Sequence, residues 1–235
     1  MQVIINEKMI KRNAKVGSYT SLAALVILGI GLYISFAYPE YATWSFMALI
    51  LGFLLSQIGI YFGNRWGKHP RQDERLTASL KGLTKEYSLY HFMAPVNHLL
   101  VGPTGVFILE SYYQKGEIVY DKGKYKQKGG GLLQAYLKVF AQEGIGRPDL
   151  EIKTDLDQMK RFYEANGIPT EDFEKIKVVL AFSNKDANLV ANDSPHMMIA
   201  MDVLKTTMRN LEKTDKAEPD LISRIKAALP KESVV

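Results

Sequence analysis

The chain has 235 residues, is 47% hydrophobic, contains no cysteine and carries a formal charge of +5. The missing thiols exclude disulfide stapling and a thiolate metal centre. The basic balance does not argue for nucleic-acid binding, because it sits at one end: residues 1–70 hold 6 Lys or Arg against 2 Asp or Glu, and residues 71–235 hold 24 against 23.

Residues 1–15 form a short N-terminal segment. From Val16 to Pro39 no residue is charged, and from Tyr41 to Asn64 again none, with Glu40 alone between the runs. Each run of 24 residues would span about 36 Å as a helix, against a bilayer core of about 30 Å. The expectation is a transmembrane hairpin of helices over 16–39 and 41–64. Ser35 and Ala37 imitate a signal-peptide cleavage site, but the apolar stretch before them is too long for one and a second span follows at once. Tyr19, Tyr61 and Trp66 would mark one membrane interface, and Tyr38, Tyr41 and Trp44 the other. Lys8, Lys11, Arg12 and Lys15 precede the hairpin, and Arg65, Lys68 and Arg71 follow it. Both termini are therefore expected in the cytoplasm, at the plasma membrane in a prokaryote, with the flanking cations meeting anionic lipid. Gly52, Ser56, Gly59 and Gly63 share one helix face, and Ala24, Gly31 and Ser35 suggest a matching stripe. Such stripes allow close helix approach in lipid, within the hairpin before any homo-oligomer.

Residues 71–235 suit one cytosolic α/β domain. Asp73 to Lys85 has helical spacing, and Tyr87 to Met93 reads as a strand. Pro95 to Ile118 contains two apolar runs that meet at Gly102-Pro103-Thr104-Gly105, the signature of a β-hairpin. Glu117 to Asp121 and Lys124 to Lys128 continue the sheet until Gly129-Gly130-Gly131 breaks it. Leu132 to Gln142 and Asp149 to Asn166 are expected helices, the second stopped by Gly167. Ile176 to Phe182 and His196 to Met201 are expected strands, and Asp202 to Leu211 and Glu218 to Leu229 the last helices.

The segment PVNHLLVGPTGVFILESYYQKGEI resembles the nuclease-related (NERD) domain at His98, Gly102, Pro103, Gly105, Val106, Phe107, Glu110, Gly116 and Ile118. The resemblance, extending over Asp73 to about Met201, implies a restriction-endonuclease-like mixed sheet flanked by helices. It also implies a metal-dependent phosphodiesterase site, but Asn97 stands where the family has Asp, and Tyr112 where it has Lys. In such hydrolysis paired carboxylates hold the cation while a nearby positive charge assists. A phenol cannot supply that charge, and Lys115 has the wrong strand parity to replace it. Glu74 resembles the family's opening helical Glu, and Glu151 stands where a helical Gln is expected. Glu74, Glu110 and Glu151 could form a carboxylate cluster able to hold Mg²⁺ or Mn²⁺, with Glu110 as the first candidate ligand. Neither His98 nor His196 has a partner at zinc-site spacing.

Lys122, Lys124, Lys126 and Lys128 alternate with other residues, so an extended backbone would put four ammonium groups on one face. Such a row could contact nucleic-acid phosphates, but the commoner role is a solvated edge that resists aggregation. The sequence therefore suggests a membrane-anchored, catalytically inactive nuclease relative that acts in binding or scaffolding. The alternative is a membrane-tethered metal-dependent nuclease using Glu110 with Glu74 or Glu151.

Overall fold

The structure, a computed structural model, describes residues 1–129, 131, 144–191 and 193–234. The described residues divide into two units, Lys8–Arg71 and an α/β unit built from Met1–Glu7 with the described residues that follow Arg71.

The first unit is a helical hairpin. Helix α1 (Glu7–Ala37) and helix α2 (Ala42–Phe62) are joined through a short 3₁₀ turn at Pro39–Tyr41, and α2 runs into a π-helical turn at Gly63–Gly67. Both are long and apolar enough to cross a membrane, and only 11% of the most apolar window of each is buried. Buried positions recur every seventh residue: Ile10, Gly17, Ala24 and Gly31 on α1, and Ser45, Gly52, Gly59 and Trp66 on α2 and its extension. A seven-residue repeat keeps one seam in contact as two helices wind about each other. Apart from Ile10 and Trp66 at its end, the seam is made of small residues. A Cβ added at Gly59 would lie 2.3 Å from the Ser21 hydroxyl and 3.0 Å from its backbone nitrogen, and one at Gly17 would lie 2.9 Å from the Gly63 nitrogen. The Ser45 hydroxyl donates across the seam to the Gly31 carbonyl at 2.6 Å. The expected stripe is thus correct at Ala24, Gly31, Gly52 and Gly59, whereas a Cβ added at Gly63 would meet nothing within 4 Å. Ser35 is exposed and Ser56 bonds its own helix at Phe53, so neither joins the seam.

In the α/β unit, the described strands form a six-stranded mixed sheet in the order β1-β2-β3-β4-β7-β9 and a three-stranded sheet in the order β6-β5-β8. The strands are β1 (Gln2–Ile5), β2 (Ser88–His91), β3 (His98–Gly102), β4 (Gly105–Tyr112), β5 (Gly116–Asp121), β6 (Lys124–Lys128), β7 (Lys177–Phe182), β8 (Ala187–Val190) and β9 (Met197–Ala200). The expected continuation of one sheet through Lys128 is corrected, since β5 and β6 belong to the smaller sheet.

Strand β1, inside the segment read as a simple N-terminal extension, pairs in parallel with β2. Its outer edge is covered by the chain's last residues, where Ile5 N–H donates to Ser233 Oγ and Val234 N–H to the Ile5 carbonyl, both at 3.0 Å. The α/β unit is therefore not residues 71–235 alone.

The α-helices described in full in this unit are α3 (Gln72–Ser79), α4 (Pro148–Ala165), α5 (Leu204–Thr214) and α6 (Pro219–Ala228). Two cores lie on opposite faces of the large sheet. Leu76 and Leu80 pack with Phe107, Leu109, Leu204 and Met208, whereas Ile152, Met159 and Tyr163 pack with Val106, Ile108, Tyr112 and Ile225. Helix α3 stops short of the expected Lys85 because the backbone turns at Gly82, with φ +93°. The helix α4 stop is as expected. Gly167 has φ +64°, and Ile168 N–H donates back to the Tyr163 carbonyl at 2.9 Å, which closes the helix end. The helix expected over 132–142 lies outside the described residues.

The β3–β4 hairpin turns at Pro103-Thr104, with Gly105 at φ +121°. Gly102 is required for another reason. The Tyr87 ring lies across it, so an added Cβ would stand 2.2 Å from a ring carbon.

Candidate functional site

Strand alternation turns Val106, Ile108, Glu110 and Tyr112 of β4 toward α4. Helix α4 opens with Pro148, whose ring suits a first turn, and the Arg147 guanidinium clasps Asp149 through two bonds of 3.0 and 2.7 Å. That bond, with Arg147's charge, holds the Asp149 carboxyl below its ordinary range. The buried Gln114 ties the end of β4 to the segment entering α4, since it accepts from Tyr113 N–H and donates to the Gly144 carbonyl. Glu151 thereby sits in the first turn, where the helix dipole favours a carboxylate.

There the Tyr112 hydroxyl donates to Glu151 Oε2 at 2.9 Å. The Tyr112 ring is 7% exposed and stacks on Phe182, its β7 neighbour, at 5.4 Å between centroids and 27° between planes. Burial above all raises the phenol well above its ordinary pKa. The charges of Glu110 and Glu151, the bond to Glu151 and the charge of Asp155 act in the same direction. Tyr112 is therefore a neutral donor at physiological pH, beside the charges of Glu110, Glu151 and Asp155.

The predicted site residues are only partly assembled. Tyr112 and Glu151 are in contact, and Glu110 shares their side of the sheet. Asn97 lies in the loop before β3, at the same end of the β3–β4 ladder as Glu110, and its carbonyl accepts from Phe92 N–H at 2.8 Å. Glu74 belongs to α3, which covers the opposite face. Among the described residues no group of three or more His, Asp or Glu could hold a metal ion. Of the suggested cluster, Glu74 thus stands apart from Glu110 and Glu151, and Glu151 accepts the Tyr112 hydroxyl.

Two groups escape a linear reading. Asp155 follows Glu151 by one helical turn, a spacing that sequence alone could have flagged. His98 does have a partner. Across the β2–β3 ladder its Nδ1 is 2.9 Å from Nδ1 of His91, both rings are buried, and His91 Nε2 is 2.9 Å from Thr77 Oγ1. A bond between two ring nitrogens needs one donor and one acceptor, so at least one ring of the pair is neutral.

The lysine row is also corrected. Lys122, at φ +47°, and Gly123, at φ +78°, form the turn between β5 and β6, so Lys122 leaves the row. Lys124, Lys126 and Lys128 are exposed on β6, but their cross-strand partners on β5 are Asp121, Val119 and Glu117. Lys126 pairs with Asp121 at 2.7 Å and Lys128 with Glu117 at 3.6 Å. The lysine bond lowers the Asp121 pKa. The face is one of mixed charge. No family model, curated protein or solved structure gives a significant match to the chain.

Proposed function

We propose that the protein is a membrane-anchored, nuclease-related domain that faces the cytoplasm and acts in binding or scaffolding rather than in phosphodiester hydrolysis. The observation that carries this reading is the Tyr112–Glu151 hydrogen bond. A buried neutral phenol stands where hydrolysis would need a cation, and it engages a carboxylate that a metal would need. The family assignment is supported by the described order of α3, strands β2 to β6, α4, β7 and, after two further strands, α5, in line with the helix, strands, helices, strand and helix that the resemblance implies.

Membrane anchoring is supported by the inverted hairpin, in which Gly17, Gly31, Gly52 and Gly59 are inside and Leu22, Leu25, Phe36, Trp44 and Phe46 outside. A soluble core helix would bury those residues. A cleaved signal sequence would take β1 away from the sheet it completes. The pairing of β1 with β2 supports a hairpin with both ends on one side of the membrane, and the Lys and Arg flanks favour the cytoplasmic side. The test is a cleavage assay of the full chain in lipid nanodiscs with Mg²⁺ and Mn²⁺ on single-stranded DNA, duplex DNA and RNA. No cleavage is expected. Robust metal-dependent cleavage abolished by Glu110→Gln would replace this reading with the nuclease alternative.

A further inference from the structure

We propose that the cationic end of the hairpin binds the phosphate of anionic phospholipids through Arg12 and Lys15 of α1 together with Arg65 and Lys68 beyond α2. The inference rests on the membrane-spanning reading and adds a lipid preference to it.

On α1, Lys8, Arg12, Lys15, Tyr19, Leu22 and Val26 follow at spacings that put them on one face. Cations thus give way to an exposed Tyr19 and then to apolar side chains. The other helix repeats the order in reverse, with Ile58, Tyr61, Arg65 and Lys68. Arg65 is held at this level, since its Nη1 donates to Tyr61 Oη at 3.5 Å and its guanidinium lies 5.2 Å from the Trp66 ring centroid. The backbones approach closely at the same level, where Gly17 meets Gly63. Arg12 and Lys15 therefore stand within about one and a half turns of that contact on one helix, and Arg65 and Lys68 follow it on the other.

Glu40 is the single acid between Lys8 and Arg71, and it lies at the opposite end of the hairpin. A π-helical turn at Gly63–Gly67 is a break in regularity often found at functional sites. An anionic headgroup meets this collar with net negative charge, whereas a zwitterionic one brings its own cation. Attraction of clustered Lys and Arg to anionic lipid corresponds to a preference of about tenfold or more.

The test uses the full chain and two variants, Arg65→Gln with Lys68→Gln and Arg12→Gln with Lys15→Gln, each leaving the other flank to hold orientation. Retention in membranes at alkaline carbonate is measured first, then thermal unfolding of detergent-solubilised protein with added phosphatidylglycerol, phosphatidylcholine or inorganic phosphate. The expected result is retention of all three proteins and a rise in the wild-type midpoint with phosphatidylglycerol alone, reduced in both variants. Carbonate extraction of the wild type would overturn the spanning reading and this inference with it. Retention with equal effects of the two lipids, or with variants as responsive as the wild type, would overturn the lipid site alone. A rise with inorganic phosphate equal to that with phosphatidylglycerol would make it a free-anion site instead.

Discussion

Val3 lies opposite Leu89 in the parallel pairing of β1 with β2, although the whole apolar hairpin separates them in the chain. The apolar hairpin is thus an insertion between two neighbouring strands of one sheet, and the sheet is incomplete without the residues that precede the hairpin. Ile4 is 2% exposed and belongs to the core that contains Tyr90 and Leu99. Ile4→Ala should therefore cost about 2–4 kcal/mol, and Gln2→Ala, at an exposed position, within about 0.5 kcal/mol. Denaturant unfolding of the full chain in detergent, followed by Trp-independent far-UV signal, gives both values. Equal stability of the two variants would mean that β1 contributes nothing.

The Tyr112 phenol makes a pH prediction. Its folded pKa is raised mainly by burial, as are those of Tyr163 and of Tyr87, the last to about 12. Unfolded tyrosines titrate near 10. Above pH about 10 the unfolded chain binds fewer protons than the folded one, so these groups stabilise fully below that pH and lose the effect as pH rises toward the folded values. Alkaline unfolding should begin near pH 10, and Tyr112→Phe should make it shallower while costing about 1 kcal/mol at pH 7. A Tyr112→Phe profile as steep as the wild type would show that this phenol ionises as easily folded as unfolded.

Installing the Asp and Lys of the nuclease-related pattern that the chain resembles should change metal behaviour. Asn97→Asp with Tyr112→Lys adds a carboxylate at the Glu110 end of the ladder and places an ammonium beside Glu110 and Glu151. The double variant should show a Mn²⁺-dependent rise in melting temperature that the wild type lacks. Cleavage is a stricter criterion, because groups displaced by an ångström or so lose about a hundredfold in rate. A wild type that already responds to Mn²⁺ would contradict the account of the site.

The hairpin seam can be tested at two glycines of opposite surroundings. Gly59→Val drives a side chain against the Ser21 hydroxyl and backbone, whereas a Cβ at Gly29 meets nothing within 4 Å. Gly59→Val should lower the thermal stability of the detergent-solubilised protein by several degrees. Gly29→Ala should leave it unchanged or raise it slightly, as a helix former replaces a glycine. Identical behaviour of the two variants would remove the seam from the explanation.

What could be read from the sequence was local. Run length revealed the hairpin, Gly102-Pro103-Thr104-Gly105 the β-turn, and Pro148 and Gly167 the limits of α4, because each signal lies within the element it defines. Strand β1 carries only the short run Gln2–Ile5, and its partner lies beyond the hairpin, so pairing of this kind has no local signature. Strand β8 (Ala187–Val190) is short and half exposed and was equally silent. The alternating lysines near 122 suggested a continuous strand, and Gly123 was the residue that signalled a turn. At the site, the positions of Tyr112 and Glu151 came from the motif, whereas the Phe182 stack and the His91–His98 pair follow from strand register. Register is set by the whole sheet.

Everything proposed for the membrane and the cytoplasmic domain depends on sidedness, and the absence of native cysteine makes it directly measurable. Single cysteines at Gln2, Glu40 and Glu232 in intact cells should respond differently to a membrane-impermeant thiol reagent. The account predicts labelling at position 40 only, with positions 2 and 232 reacting after the membrane is permeabilised. Labelling of position 2 or 232 in intact cells, or protection of position 40 until permeabilisation, would contradict it.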